Sequence, residues 1–526
     1  MLSKKDLMGM AATSLACWLG CSANSLRAQQ TIPRSLLGQG QASTGLPVQS
    51  SAPKLNPGVR KVQATAEDLQ QVPATPNPAL PTISQQLQTN TDLSLPASER
   101  ELGGGSPTTV AADGEKPAGD DKPAEDEKSK ESTTLLMKAL GAPADAPIKV
   151  YGWLQNSYTG NTNGRPKNGE NFGVNPNHRA NSWQGNQYYL IVENPLEQND
   201  KVNFGFRVDS LYGNDWQFNK SYGFANNAFK LNGFSGYDLA QAYGEVHLPW
   251  ITKGGLDIKA GRWYTLAGYE QVPATARPLL SVPYMFNYGQ PFTHLGVVST
   301  LHVTDKINLY NGVINGWDRW FDKNYKVGYI GGFSATSKDD KTSFAFTTIW
   351  GPQQFPNFLP TRTQIYPTGT PVPPPAFAGK LNPTYPGNSR VLFTSVLTRK
   401  WTDKFTQVME TDQANEQGVP FANGISSKNK TFQDAGWYSF GNWFLYQFTP
   451  KLTGVWRSEI FRDNNGVRTG VATNYSEFTL GAIYKPKDYI WIRPEARYDF
   501  ARSGHPYSDG TRNSQFTLAF DVIFLF

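Results

Sequence analysis

The stretch DYIWIRPEARYDFA, residues 488–501, sets a charged side chain at every second position: Arg493, Glu495, Arg497 and Asp499. An extended strand sends alternate side chains to opposite faces, so these four form one column. Ile490, Ile492, Pro494, Ala496, Tyr498 and Phe500 form the other. The pattern recurs along the chain. Arg207 and Asp209 alternate with Phe204, Phe206 and Val208, and Gln241, Tyr243, Glu245 and His247 alternate with Ala240, Ala242, Val246 and Leu248. Glu477 opposes Phe478 and Leu480, Asp257 and Lys259 stand on LDIKA, and Arg457 and Glu459 stand on WRSEIF. Guanidinium and carboxylate groups facing a watery lumen need no burial partner, and opposed across it they make a transverse field that orients passing solutes. That is the chemistry of a channel lining. The plainer role, pairing across neighbouring strands to stiffen a wall, fits any single one of these residues better. Both signs occur, so no anion or cation preference follows.

Catalytic chemistry finds little support. The five histidines, His178, His247, His294, His302 and His505, stand in no catalytic or metal-binding spacing. A phosphate loop and a dinucleotide fingerprint are both lacking. The only cysteines, Cys17 and Cys21, lie within or beside an apolar N-terminal stretch, which leaves no disulfide framework or thiolate metal site beyond it. The reading is a non-enzyme with no catalytic residue, metal or cofactor. At a net charge of +6 and without a basic run, nucleic acid is not expected as a partner.

Elements that position such columns must be strands. Aromatic residues make up 13% of the chain and lie almost wholly beyond residue 148, where alternating segment follows alternating segment. The pattern predicts strands at 148–158, 186–194, 201–212, 237–249, 254–264, 294–303, 306–317, 328–337, 341–351, 390–401, 404–415, 435–448, 451–463, 474–485, 488–501 and 514–526. Short turns alternate with long loops at 159–185, 213–236, 265–293, 318–327, 352–389, 416–434, 464–473 and 502–513. That alternation fits an all-β, transmembrane antiparallel barrel of about sixteen strands, wide enough for an aqueous channel. Outside the N-terminus no apolar stretch reaches roughly 18 residues, which excludes crossing by helices but not by a barrel.

The aromatic residues give a second line of argument. With the first strand running outward, Trp250, Trp401, Tyr484 and Tyr489 fall at the inner rim and Tyr264, Trp317 and Trp350 at the outer rim. Two belts anchor a barrel at both interfaces, because each ring buries an apolar body and keeps a polar tip wet. The final segment, NSQFTLAFDVIFLF, puts Phe516, Leu518, Phe520, Val522, Phe524 and Phe526 on one face. Lipid tails accept that face, and pairing with the first strand removes the open edge.

Loop 265–293 is unusually apolar. PLLSVPYMFNY places Leu279, Leu280, Val282, Tyr284, Met285, Phe286 and Tyr288 in close succession, and such a run is buried somewhere. One placement folds it into the lumen as a constriction, with Tyr269, Glu270 and Arg277 near the narrowest point. The other packs it on neighbouring loops or another subunit.

Ahead of the barrel, Lys4 and Lys5 followed by the apolar stretch Leu7 to Gly20 read as an export signal over 1–28, with cleavage after Ala28 or Ala23, or lipidation at Cys21, as alternatives. Residues 29–133 read as a disordered Pro/Gln/charge-rich linker and 134–147 as a short helical or extended entry segment, with the barrel over 148–526.

Three stretches, IKVYGWLQNSYTGN at the first strand, AGRWYTLAGYE (260–270) and SVPYMFNYGQPFTHLGV (281–297), resemble the putative β-barrel porin 2 family of bacterial outer-membrane proteins. The resemblance spans 148–526 and implies a porin: a water-filled channel for passive diffusion of small hydrophilic solutes or ions. The terminal Phe526 resembles the signal that barrel assembly machinery recognises. Expected partners are then outer-membrane lipid, that machinery and small solutes, with a homo-oligomer and a cell-wall contact by the linker as further candidates. The alternative is a non-conducting anchor or adhesin whose long extracellular loops bind a partner.

Overall fold

The structure, a computed structural model, describes residues 134–143, 145–219, 221, 234–320, 326–352, 389–420 and 432–526. The export signal, the linker and nearly all of the Pro-rich loop 352–389 lie outside the described residues. A short helix, α1 (Leu135–Ala139), is capped by Thr134, whose side chain accepts from the Met137 N–H at 3.1 Å. It leads into β1 (Lys149–Asn161), β2 (Ser182–Asn194), β3 (Asn203–Gly213), α2 (Trp216–Asn219), β4 (Gly236–Leu248), β5 (Leu256–Tyr264) and β6 (Thr293–Thr304). There follow β7 (Ile307–Ile314), β8 (Gly328–Thr336), β9 (Thr342–Pro352), β10 (Ser389–Lys400) and β11 (Phe405–Pro420). The last five are β12 (Phe432–Thr449), β13 (Leu452–Asp463), β14 (Thr473–Lys487), β15 (Ile490–Ala501) and β16 (Ser514–Leu525). Every strand pairs antiparallel with its chain neighbours, and β1 pairs with β16 from Trp153↔Leu525 to Asn161↔Thr517, so the sheet closes.

The count of sixteen strands and their order match the sequence pattern. The outward face is apolar around the circumference: Phe204, Val297, Leu309, Phe333, Phe393, Phe440, Trp456, Leu480 and Leu518 are all exposed. On β16, Phe516, Val522 and Phe524 face out while Gln515, Thr517 and Asp521 are buried inside. A soluble monomer does not carry such a belt; a transmembrane barrel requires it. Several boundaries move by three to five residues; β2, for example, begins at Ser182 rather than 186. β11 and β12 run past their expected ends at 415 and 435, pairing again at Val419↔Gln433 after an irregularity. At Ala240 a β-bulge breaks the alternation: Asp209 faces Gln241, Ser210 faces Leu239, and Ala240 turns inward beside Gln241. Ala240 therefore leaves the outward face on which strict alternation placed it.

The interior is packed. One buried apolar cluster joins Leu279, Tyr284, Met285 and Tyr288 of loop 265–292 to Val396, Trp443 and Phe461 of the wall. A second joins Val272, Val282, Phe286 and Phe292 to Trp153, Tyr189 and Ile523.

Candidate functional site

Loop 265–292, between β5 and β6, lies inside the barrel. Its apolar side chains have partners there, but its backbone does not belong to a sheet and its N–H and C=O groups still need satisfying. Charged wall side chains supply the bonds. Glu410 on β11 accepts from the Tyr269 N–H at 2.9 Å, and Glu495 on β15 from the Ser281 N–H at 3.0 Å. Glu459 on β13 takes the N–H groups of Tyr284 and Met285 at 2.6 and 2.5 Å. Arginines bind the carbonyls. Arg457 donates to Ser281 O at 2.6 Å, Arg497 to Val282 O at 2.7 Å, and Arg493 to Ala274 O and Arg277 O at 2.8 and 2.7 Å. Arg493, Glu495 and Arg497 of the β15 column thus seat the loop together with Glu410 on β11 and Arg457 and Glu459 on β13.

The same arginines also pair along the wall. Arg493 reaches Asp521, Arg497 reaches Asp499 at 2.8 Å, and Arg457 reaches Glu477 at 3.0 Å. On the opposite side Arg207 pairs with Asp209 at 2.7 Å and Glu193 at 3.1 Å, and Arg262 pairs with Asp238 at 2.9 Å. All of these charges are buried. They pair along the wall, the plainer of the two roles the alternation allowed, and Arg457, Arg493 and Arg497 also bond the loop; an unpaired charge under packed side chains would cost several kcal/mol.

The remaining inward candidates gather toward the short-turn end. Lys259 lies 3.5 Å from Glu245 and 4.3 Å over the Tyr243 ring. Asp257 bridges His247 at 2.6 Å and His302 at 2.9 Å. Gln241 bonds Asp209 at 2.9 Å. The three loop candidates do not form one cluster. Tyr269 packs edge-on to Trp443, and Glu270 accepts from Trp443 Nε1 at 3.0 Å and from Arg457 at 3.3 Å. Arg277 instead sits 3.5 Å from Asp215, just after β3. Burial raises the Glu270 pKa against the pull of Arg457, and burial lowers that of Arg277 against the pull of Asp215.

The match to a family decides the class. The family described as Putative beta-barrel porin-2, OmpL-like, matches residues 147–526. The chain belongs to this family. Among solved structures, this porin-2 chain is similar to the outer membrane channel DcaP of Acinetobacter baumannii at 9% identity and TM-score 0.46, over 72% of this chain and 97% of that one. It is similar to an anion-selective porin from Comamonas acidovorans at 9% identity and TM-score 0.46, over 72% and 99%. It is also similar to OmpT of Vibrio cholerae at 10% identity and TM-score 0.41, over 72% and 97%. No curated protein matches the sequence.

Sequence reasoning missed part of what fills this porin-2 barrel. The loop after β1 also turns inward: Phe172, Val174 and Asn175 are buried, Arg497 and Gln515 bond the carbonyls of Gly173 and Phe172, and Val282 N–H bonds Asn175 O at 2.7 Å. Its only sequence signal is the short FGV run among asparagines and glycines. Glu410 and Asp412 also point inward on β11, which alternates poorly, and so do Trp437 and Trp443 on β12, where aromatic residues occupy both faces and hide the parity.

The aromatic belts need one correction. Trp250, Trp401, Tyr484 and Tyr489 are exposed at the short-turn rim, and Trp350 at the long-loop rim. Tyr264 and Trp317 are not on the outer surface. Tyr264 is buried with its hydroxyl 2.7 Å from that of Tyr189, where the chain is already leaving β5 for the interior. Trp317 lies inside, under Arg390 at 4.5 Å and beside Trp437. Trp183 and Tyr438 occupy the exposed long-loop positions instead.

His178 in the inward loop after β1 makes a pH prediction. Its Nδ1 lies 3.0 Å from Pro176 O and Nε2 3.1 Å from Gln217 Nε2, which fits a neutral ring donating at one nitrogen and accepting at the other. Burial lowers its pKa from 6.5 to about 4. The unfolded chain therefore takes up a proton that the folded state refuses. Stability is full above 6.5 and falls as pH drops toward 4, by about 1.4 kcal/mol per pH unit in that window. Urea midpoints measured across the window should fall more steeply for the native protein than for His178→Gln; parallel slopes would contradict the assignment.

Proposed function

We propose that this porin-2 family member is a narrow outer-membrane channel for passive diffusion of small hydrophilic solutes or ions, and not an enzyme. One observation carries the reading: loop 265–292 occupies the lumen of a sixteen-stranded barrel and is held there by wall charges. An inserted loop is how a wide barrel obtains a small aperture. In this reading the apolar belt meets outer-membrane lipid, Phe526 addresses assembly machinery, residues 1–28 direct export, and the linker contacts the cell wall. Several copies would assemble side by side.

The burial of so many inward side chains also favours a second reading, an anchor closed by its own loops and binding a partner through the long-loop rim. Single-channel recording of the purified protein in a planar bilayer with a salt gradient separates the two. The channel reading expects small stepwise conductance with a measurable reversal potential. A folded, heat-modifiable barrel that inserts and stays silent would favour the anchor.

A further inference from the structure

Two carboxylates on the inner wall have no counter-charge among the described residues. Glu410 and Asp412 stand two apart on β11 and are 1% and 2% exposed. Glu416, further along the same strand, is paired to Arg390 at 2.7 Å. Neither Glu410 nor Asp412 has such a partner among the described residues; no arginine, lysine or histidine balances either. Their donors are neutral: Gln290 Nε2 bonds Glu410 Oε1 and also Asp412 Oδ2, the latter at 2.8 Å, and the Tyr269 N–H bonds Glu410 at 2.9 Å. Two neutral N–H donors do not offset two buried negative charges.

Register supplies the rest of the site. Thr394 on β10 and Ser439 on β12 are the cross-strand partners of Asp412. Both hydroxyls are buried and lie within interaction range of the Asp412 carboxylate without closing a hydrogen bond of full geometry to it, and Thr394 Oγ1, Ser439 Oγ and Asp412 Oδ1 have no other partner among the described residues. Unsatisfied oxygens gathered around uncompensated carboxylates are the ligand set of a hard cation. We propose that Asp412, Thr394 and Ser439, backed by Glu410, hold an oxygen-preferring metal cation of the Ca²⁺ type on the inner wall. The cation supplies the missing charge and ties β10, β11 and β12 together beside the end of the loop. Gln290 couples the site to the loop directly. The inference concerns binding and stands whether or not the barrel conducts.

Trp437 provides the readout. A Cβ placed on Gly289 would lie 3.3 Å from Asp412 Oδ2 and 3.6 Å from Trp437 Cδ1, so the indole is close enough to sensitise a bound lanthanide. Titrating Tb³⁺ into the folded full-length protein in detergent should give saturable tryptophan-sensitised emission that Ca²⁺ displaces. Asp412→Asn should abolish it, and Thr394→Val should weaken apparent affinity by about tenfold. The Thr394 change removes an unbonded hydroxyl at constant shape, so it keeps the test open if Asp412→Asn does not fold. Asp340→Asn, on an exposed turn, should leave binding unchanged. Absence of saturable emission, or emission that survives both inner-wall variants, would overturn the site and leave a proton on Asp412 as the neutralising charge.

Discussion

Replacing Arg457 with methionine is expected to lower the unfolding free energy of the barrel by about 3–5 kcal/mol. Arg457 is fully buried and bonds Glu477, Glu270, Ser281 O and Ser281 Oγ. Methionine fills much of the same space but leaves Glu270 and Glu477 under packed side chains, with only Arg497 at 3.9 Å still near Glu477. The penalty is the stranded charge, not the lost contact. An exposed pair behaves differently: Lys306 and Asp340 lie 2.6 Å apart on two neighbouring short turns, and breaking them should cost less than about 1 kcal/mol. Urea titration of the heat-resistant folded band on an unheated gel compares the two. Equal losses would mean that water already reaches Arg457 and that the loop is not seated.

Substituting Gly152 by leucine should abolish most of the folded population. Gly152 lies where β1 meets the last residue: its N–H donates to Phe526 O at 3.1 Å, and Phe526 N–H donates to its carbonyl at 3.0 Å. A Cβ at this position would fall 2.0 Å from Tyr189 O and 2.9 Å from Phe526 Cζ. The carbonyl belongs to the paired backbone of β2 and cannot rotate away, so β1 and β2 must separate next to the closing seam. Gly160→Ala on the same strand is the comparison, since its nearest neighbour would be 3.7 Å away. A Gly152→Leu protein that folds and closes normally would show that the seam tolerates displacement.

Legibility followed solvent. The strands could be read because lipid demands an apolar face at every second residue, and β15 and β16 meet that demand almost without exception. Where neither face meets lipid, the signal failed. The chain buries Arg262, Trp263 and Tyr264 in succession as it leaves β5, so parity no longer tells inside from outside. β11 interleaves Glu410 and Asp412 with Thr411 and Gln413, polar on both faces, which concealed two interior carboxylates. The apolar run 279–288 announced burial but not its location. Which charges would receive it depended on pairings hundreds of residues apart, such as Ser281 with Glu495. Composition carries no trace of those distances.

The most direct test is single-channel conductance of the native protein beside a variant lacking residues 272–286. Removing the segment leaves Arg457, Arg493 and Arg497 facing water, which solvates them, so the barrel itself should still assemble. A loop that sets the aperture predicts small steps for the native protein and several-fold larger ones for the deletion, with a higher solute size limit. Equal conductance in the two proteins, with both folded and inserted, would contradict the claim that this loop narrows the channel.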